Sequence, residues 1–185
     1  MGSDKAGLEV HGQTLLARVA DRLRPHWERI FVVAATGQNL PPIPVEHIQV
    51  LRDEYADKGP LGGIYTGLKA ASVEYCPVVA CDMPFANPLL LIYMVDVAAQ
   101  GRYEAVIPVV DGRLQYLHAV YGQSLIAPAE KALETGLNAL HAFLDGRNVK
   151  VLPQEELVRF DPGLRFSFNI NTPEDLEQAK RLLTP

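Results

Sequence analysis

Cysteine is scarce: Cys76 and Cys81 are the only two in 185 residues. One possible pair cannot make a disulfide framework, so a reducing compartment is expected. No Cys or His pair beside them completes a zinc quartet. Long hydrophobic runs are missing too. The longest, Leu89 to Val97, contains Asp96 and is too short to cross a bilayer. The N-terminus carries no charged stretch followed by an apolar segment, so no signal peptide is visible. Positive charge is not in excess: 17 Lys plus Arg stand against 22 Asp plus Glu, a formal net charge of −5. A protein that grips nucleic-acid backbone is more often basic. These absences point to a soluble, cytoplasmic protein with neither membrane nor nucleic acid among its partners. They do not exclude a local cationic pocket for a nucleotide.

The residues present, 48% hydrophobic and 21% charged, are too apolar for disorder and enough for one domain with a real core. Helical and strand periods alternate along the chain. Leu15, Leu16, Val19, Leu23 and Trp27 predict a helix over Thr14 to Trp27, with Pro25 breaking its last turn. Strands are predicted at Arg29 to Ala35, Ile48 to Leu51, Pro77 to Cys81 and Glu104 to Val110, the first and third of them buried. Asp111-Gly112 is a hairpin signal, with a partner strand near Leu117 to Tyr121. Helices are predicted at Gly62 to Ser72, from the Asn87-Pro88 cap to about Gly101, at Leu125 to Glu134 and at Asn138 to Leu144. Val149 to Leu152 and Arg165 to Ile170 read as strands, and Thr172-Pro173-Glu174-Asp175 as a helix start. Such alternation favours a mostly parallel α/β sheet with helices on both faces, its site at the carboxyl ends of the strands.

Four segments carry candidate chemistry. Asp82 follows the apolar run Val78 to Cys81, where a carboxylate either faces the crevice as a ligand for a hard cation or shapes the turn before Pro84. Strand alternation puts Asn169 and Asn171 on one face, where an amide oxygen can complete a metal shell or Asn171 can merely shape the turn into the next helix. Gly59-Pro60-Leu61-Gly62-Gly63 is a Gly-rich opening of a helix, suited to close approach of a polar ligand and equally ordinary as a turn. Lys5, close to the terminus, is a flexible charge that could neutralise phosphate or do nothing.

Taken together and in this order, these segments resemble the molybdenum cofactor guanylyltransferases, nucleotidyltransferases with a Rossmann-like, glycosyltransferase-A type fold. The matching stretches are Met1-Gly2-Ser3-Asp4-Lys5, Gly59 to Gly63, Cys81-Asp82-Met83-Pro84-Phe85 and Asn169-Ile170-Asn171-Thr172-Pro173-Glu174-Asp175-Leu176. Leu117-His118-Ala119-Val120-Tyr121 is similar to the family's L-x-A-x-Y strand. The resemblance implies transfer of GMP from GTP to the molybdopterin-bound molybdenum cofactor, with Mg²⁺ and release of pyrophosphate. It implies Lys5 at the triphosphate, Asp82 at the Mg²⁺, Asn171 as a second metal-side contact and Asn169 on the substrate side. Asp53 would contact the nucleotide, and Gly62 and Gly63 would lie by the base. Molybdoenzymes or their chaperones are the implied protein partners.

The chain departs from the pattern in two places. The family's first strand and Gly-rich phosphate loop have no counterpart ahead of Met1, so a single domain over residues 1–185 lacking that front end is expected, with Lys5 unanchored. Gln115-Tyr116 stands where Glu-Pro is common. The alternatives are a cytidylyltransferase of the same cofactor, a more distant sugar-phosphate nucleotidyltransferase and a non-catalytic nucleotide- or cofactor-binding adaptor.

Overall fold

The computed structural model of the chain describes residues 5–43, 48–55 and 58–183. A 3-10 turn at Lys5–Gly7 leads into an antiparallel pair, β1 (Glu9–Val10) and β2 (Gln13–Thr14). Thr14 then caps α1 (Leu15–Leu23) by accepting the backbone N–H of Ala17. Apolar spacing continues to Trp27, but α1 stops at Leu23 because Pro25 cannot extend it. Next come β3 (Ile30–Ala34), β4 (Ile48–Arg52), α2 (Gly59–Ala71), β5 (Tyr75–Val79) and α3 (Pro88–Gly101). The Asn87 side chain caps α3, as the Asn-Pro signal predicts. The remaining elements are β6 (Ala105–Val110), β7 (Arg113–Leu114), β8 (His118–Gly122), α4 (Ile126–Glu134), α5 (Leu140–Leu144), β9 (Val149–Leu152), α6 (Gln154–Leu157) and α7 (Pro173–Leu182).

Strand β8 runs antiparallel between β5 and β6, while β9 runs parallel to β6 on its other side. Strands β5, β6 and β9 therefore share one direction, and β8 is the reversed strand inserted among them. Asp111 and Gly112 both have positive φ, 49° and 73°, so a two-residue turn joins Val110 to its ladder partner Arg113. Every residue of β8 is buried, which requires cover on both sheet faces. That cover comes from α3 against β5, β6 and β8, and from α2, which packs on α4, β3 and β5. The parallel pair β3–β4 forms a separate sheet. Among the described residues β3 pairs only with β4 and β5 only with β8, and the residues of β5 stay half-buried throughout.

The predicted strand at Arg165 to Ile170 is not formed. Arg165–Ser167 is a 3-10 turn entered through Leu164 in the left-handed region, φ 49°. Local acceptors take the N–H groups that a ladder would need: Phe166 N–H donates to Asp161 Oδ2, and Ser167 and Phe168 N–H donate to the carbonyls of Leu164 and Arg165. Ile170 N–H donates instead to the Asp82 carbonyl, 3.0 Å away.

Candidate active site

Three segments remote in sequence meet over a small apolar cluster set apart from the main core. Its buried members are Val10, Leu15, Phe85, Ile170 and Ala179, with Leu8 and Phe168 packed against them. Phe85 and Phe168 meet edge to face with ring centroids 5.8 Å apart. The cluster thus joins the chain just after Lys5, the loop just after Asp82 and the chain on both sides of Asn171.

Above this floor Lys5 Nζ donates to Asp82 Oδ2 at 2.8 Å and to Asn171 Oδ1 at 2.6 Å. The side chains of Lys5 and Asp82 are only 29% and 17% exposed, so the pair is partly shielded from water. The expectation of an unanchored Lys5 is corrected here: two side-chain acceptors from distant segments and the packing of its 3-10 turn on α1 hold it.

Asn171 is aimed by the start of α7. Thr172 Oγ1 accepts the N–H of Asp175, while Asp175 Oδ2 accepts the N–H groups of Thr172 and Asn171 at 2.8 and 2.9 Å. This capping box fixes the backbone on which the Asn171 amide is mounted. The same N–H groups, Asn171 first and then Thr172, hold the Asp175 carboxyl below its ordinary range.

Asp82, Asn169 and Asn171 line a cavity of about 440 Å³, within the range of small-molecule pockets. Asn169 and Asn171 share that wall without the strand from which it was argued. Facing residues include Gln115, Tyr116, Asn138 and His141, which sequence reasoning did not single out as ligands. The departure at Gln115-Tyr116 was the one signal available for them. The Gly-rich turn reaches the cavity through Pro60, whereas Gly62 and Gly63 are not among its lining residues.

Asp53 and Gly62 are brought together with one another instead. Asp53 Oδ1 accepts the N–H of Tyr55 at 3.0 Å and the Thr66 hydroxyl at 3.4 Å. A Cβ on Gly62 would lie 3.0 Å from both Asp53 carboxylate oxygens and 3.1 Å from the Tyr55 carbonyl. A side chain there would push Asp53 or the Tyr55 carbonyl back by a few tenths of an ångström, so this close approach favours glycine.

His118, for which sequence reasoning found no role beyond its place in the Leu117 to Tyr121 strand, is fully buried at the start of β8. Its Nε2 accepts the N–H of Asn87 at 3.0 Å, so the neutral ring carries its proton on Nδ1. The ring lies against Phe166, centroids 4.8 Å apart. His118 thereby ties the far end of the Asp82 loop to the sheet and to the segment that leads to Asn171.

Asp82 and Asn171 offer a carboxylate and an amide oxygen, the hard donors that Mg²⁺ takes one or two at a time alongside phosphates and water. The ammonium of Lys5 standing between them shows that the pair attracts positive charge. Among the described residues no group of three or more His, Cys, Asp or Glu could hold a metal by protein ligands alone. No helix of the described residues is long and apolar enough to cross a membrane.

Comparison with known proteins bears on this arrangement. Residues 1–151 match the MobA-like NTP transferase domain. The molybdenum cofactor guanylyltransferase of Syntrophotalea carbinolica is 33% identical, covering 98% of this chain and 85% of that protein. A probable molybdenum cofactor guanylyltransferase of Methanosarcina mazei is 36% identical, covering 94% and 81%. The crystal structure of molybdopterin-guanine dinucleotide biosynthesis protein A from Archaeoglobus fulgidus superposes with a TM-score of 0.82 at 27% identity, over 98% of this chain and 91% of that one. The 2-C-methyl-D-erythritol 4-phosphate cytidylyltransferase of Thermus thermophilus shares the fold, with a TM-score of 0.71 at 22% identity and coverage of 96% and 93%. A Rossmann-like α/β sheet, a Lys–Asp–Asn meeting at a cavity and near full-length relatives lead to one conclusion: the chain belongs to the MobA-like NTP transferase family and is a nucleotidyltransferase of molybdenum cofactor biosynthesis.

Proposed function

We propose that this enzyme transfers GMP from GTP to the molybdopterin-bound molybdenum cofactor, with Mg²⁺, and releases pyrophosphate. The meeting of Lys5, Asp82 and Asn171 at the wall of a cavity of about 440 Å³ carries this reading, in a chain whose relatives are named for guanylyl transfer. A terminal phosphate oxygen of the acceptor would form the new bond to the α-phosphorus of GTP. The bond from that phosphorus to the bridging oxygen breaks, and pyrophosphate leaves with the electron pair. No protein nucleophile is needed, so catalysis comes from positioning and from neutralising phosphate charge.

Lys5 is the residue for that neutralisation, as an ammonium that can follow the triphosphate. Asp82 and Asn171 would hold Mg²⁺, which supplies charge stabilisation at the phosphates. Asn169, with Gln115, Tyr116, Asn138 and His141 across the cavity, gives the acceptor polar partners. Asp53 acts on the nucleotide through the turn it holds against Gly62, the turn that continues into Gly63. The product would pass to molybdoenzymes or their chaperones.

The deciding experiment supplies the purified protein with molybdenum cofactor, Mg²⁺ and each nucleoside triphosphate in turn. GTP-dependent formation of the guanine dinucleotide with release of pyrophosphate is expected. Preferential use of CTP would transfer the assignment to cytidylyl transfer.

A further inference from the structure

We propose that Lys5 guards the metal position: its ammonium and a divalent cation compete for the same two oxygens, so the cation enters together with the nucleotide and not before it. This rests on the reading of Asp82 and Asn171 as the metal-side oxygens. Lys5 Nζ is within 2.8 Å of Asp82 Oδ2 and 2.6 Å of Asn171 Oδ1, so any cation held by both oxygens would take the space of the ammonium.

Charge works in the same direction. Asp82 and Lys5 together are neutral, and a neutral pair offers a dication no net attraction. Asp175, in the first turn of α7, already turns its Oδ2 to the N–H groups of Asn171 and Thr172. Among the described residues no cluster of His, Cys, Asp or Glu makes up the missing charge.

A triphosphate changes both terms. It brings anionic oxygens that complete the cation's shell, and it gives Lys5 an alternative partner of higher charge. The lysine stem is flexible, and the Lys5 side chain is 29% exposed, so the ammonium can swing without unfolding its turn. Release of Asp82 by Lys5 and capture of the metal by Asp82 are then one event, and loading is ordered.

The test uses Mn²⁺ as the probe, followed by electron paramagnetic resonance or calorimetry on nucleotide-free protein. Lys5→Met, which keeps the stem and removes the charge, should bind Mn²⁺ at least ~10-fold more tightly than wild type, because a like charge next to the site is gone. That gain should vanish in the double variant Lys5→Met with Asp82→Asn. Lys5→Arg keeps the charge and should stay as weak as wild type, which guards against a folding artefact in Lys5→Met. Equal Mn²⁺ affinity in wild type and Lys5→Met, a gain that survives loss of Asp82, or tight binding by Lys5→Arg would each overturn the proposal. A GTP titration on the same samples separates the two ideas. Wild type that takes up no GTP, alongside a Lys5→Met gain in Mn²⁺ affinity, would refute the nucleotide reading and leave the competition standing.

Discussion

Asp82→Asn keeps the size of the side chain and removes the one carboxylate that, among the described residues, both pairs with Lys5 and lines the cavity. Transfer should fall by at least ~100-fold with a smaller loss of GTP affinity, because the charge acts mainly on the transition state. Single-turnover transfer and a GTP titration measure the two effects, and near-normal turnover in Mg²⁺ would remove Asp82 from its role. His118 gives a pH prediction. Burial pushes its imidazole down to about 3 from the ordinary 6.5, with the positive charge of Arg22 acting the same way. Between those values the unfolded chain takes up a proton that the folded protein refuses. Stability therefore falls as pH drops from 6.5 toward 3, by at most about 1.4 kcal/mol per pH unit, and His118 adds no slope above that window. Urea midpoints at a series of pH values should show this slope in wild type and its loss in His118→Gln; identical slopes would count against a buried neutral ring. Neither the burial nor the role of His118 was legible in the sequence, where it is one polar residue in an apolar strand.

The capping box of α7 was legible, because Thr, Pro and two acids in succession satisfy the free N–H groups of a helix start whatever surrounds them. Thr172→Ala should cost about 1 kcal/mol of stability through the lost cap. It should also weaken GTP binding in Mg²⁺ by loosening Asn171; thermal melts and a titration check the two parts, and unchanged binding would separate Asn171 from the site. The apolar runs of β3 and β6 and the turn at Asp111-Gly112 were equally readable, since each is set by its own residues, while β5 runs two residues earlier than expected, Tyr75–Val79, and is half-buried rather than buried. The segment 165–170 was misread as a strand because its apolar residues do face the interior, at Phe166 and Ile170, while its hydrogen bonds are decided by Asp161 just ahead of it and by the carbonyl of Asp82, remote in sequence. Asn138 and His141 reach the cavity from the loop and short helix after α4, and no periodicity marks loop residues as ligands.

At the scale of the whole molecule the reversal of β8 against β6 agrees with the hairpin signal at Asp111-Gly112, whereas the place of β8 between β6 and β5 and the separate β3–β4 pair are what the sequence could not disclose. The small cluster beneath Lys5, Asp82 and Asn171 carries a consequence for how the molecule forms. Its polar contacts span 77 and 166 residues of chain, whereas the turn between β6 and β7 closes over two. Closing the longer of these loops is entropically costly, so the Lys5–Asn171 contact is expected to form after the larger core has condensed. On the proposed reading of the site, a chain that has collapsed around its main core is then still blind to nucleotide, and it gains its ligand only when Lys5, Asp82 and Asn171 find each other.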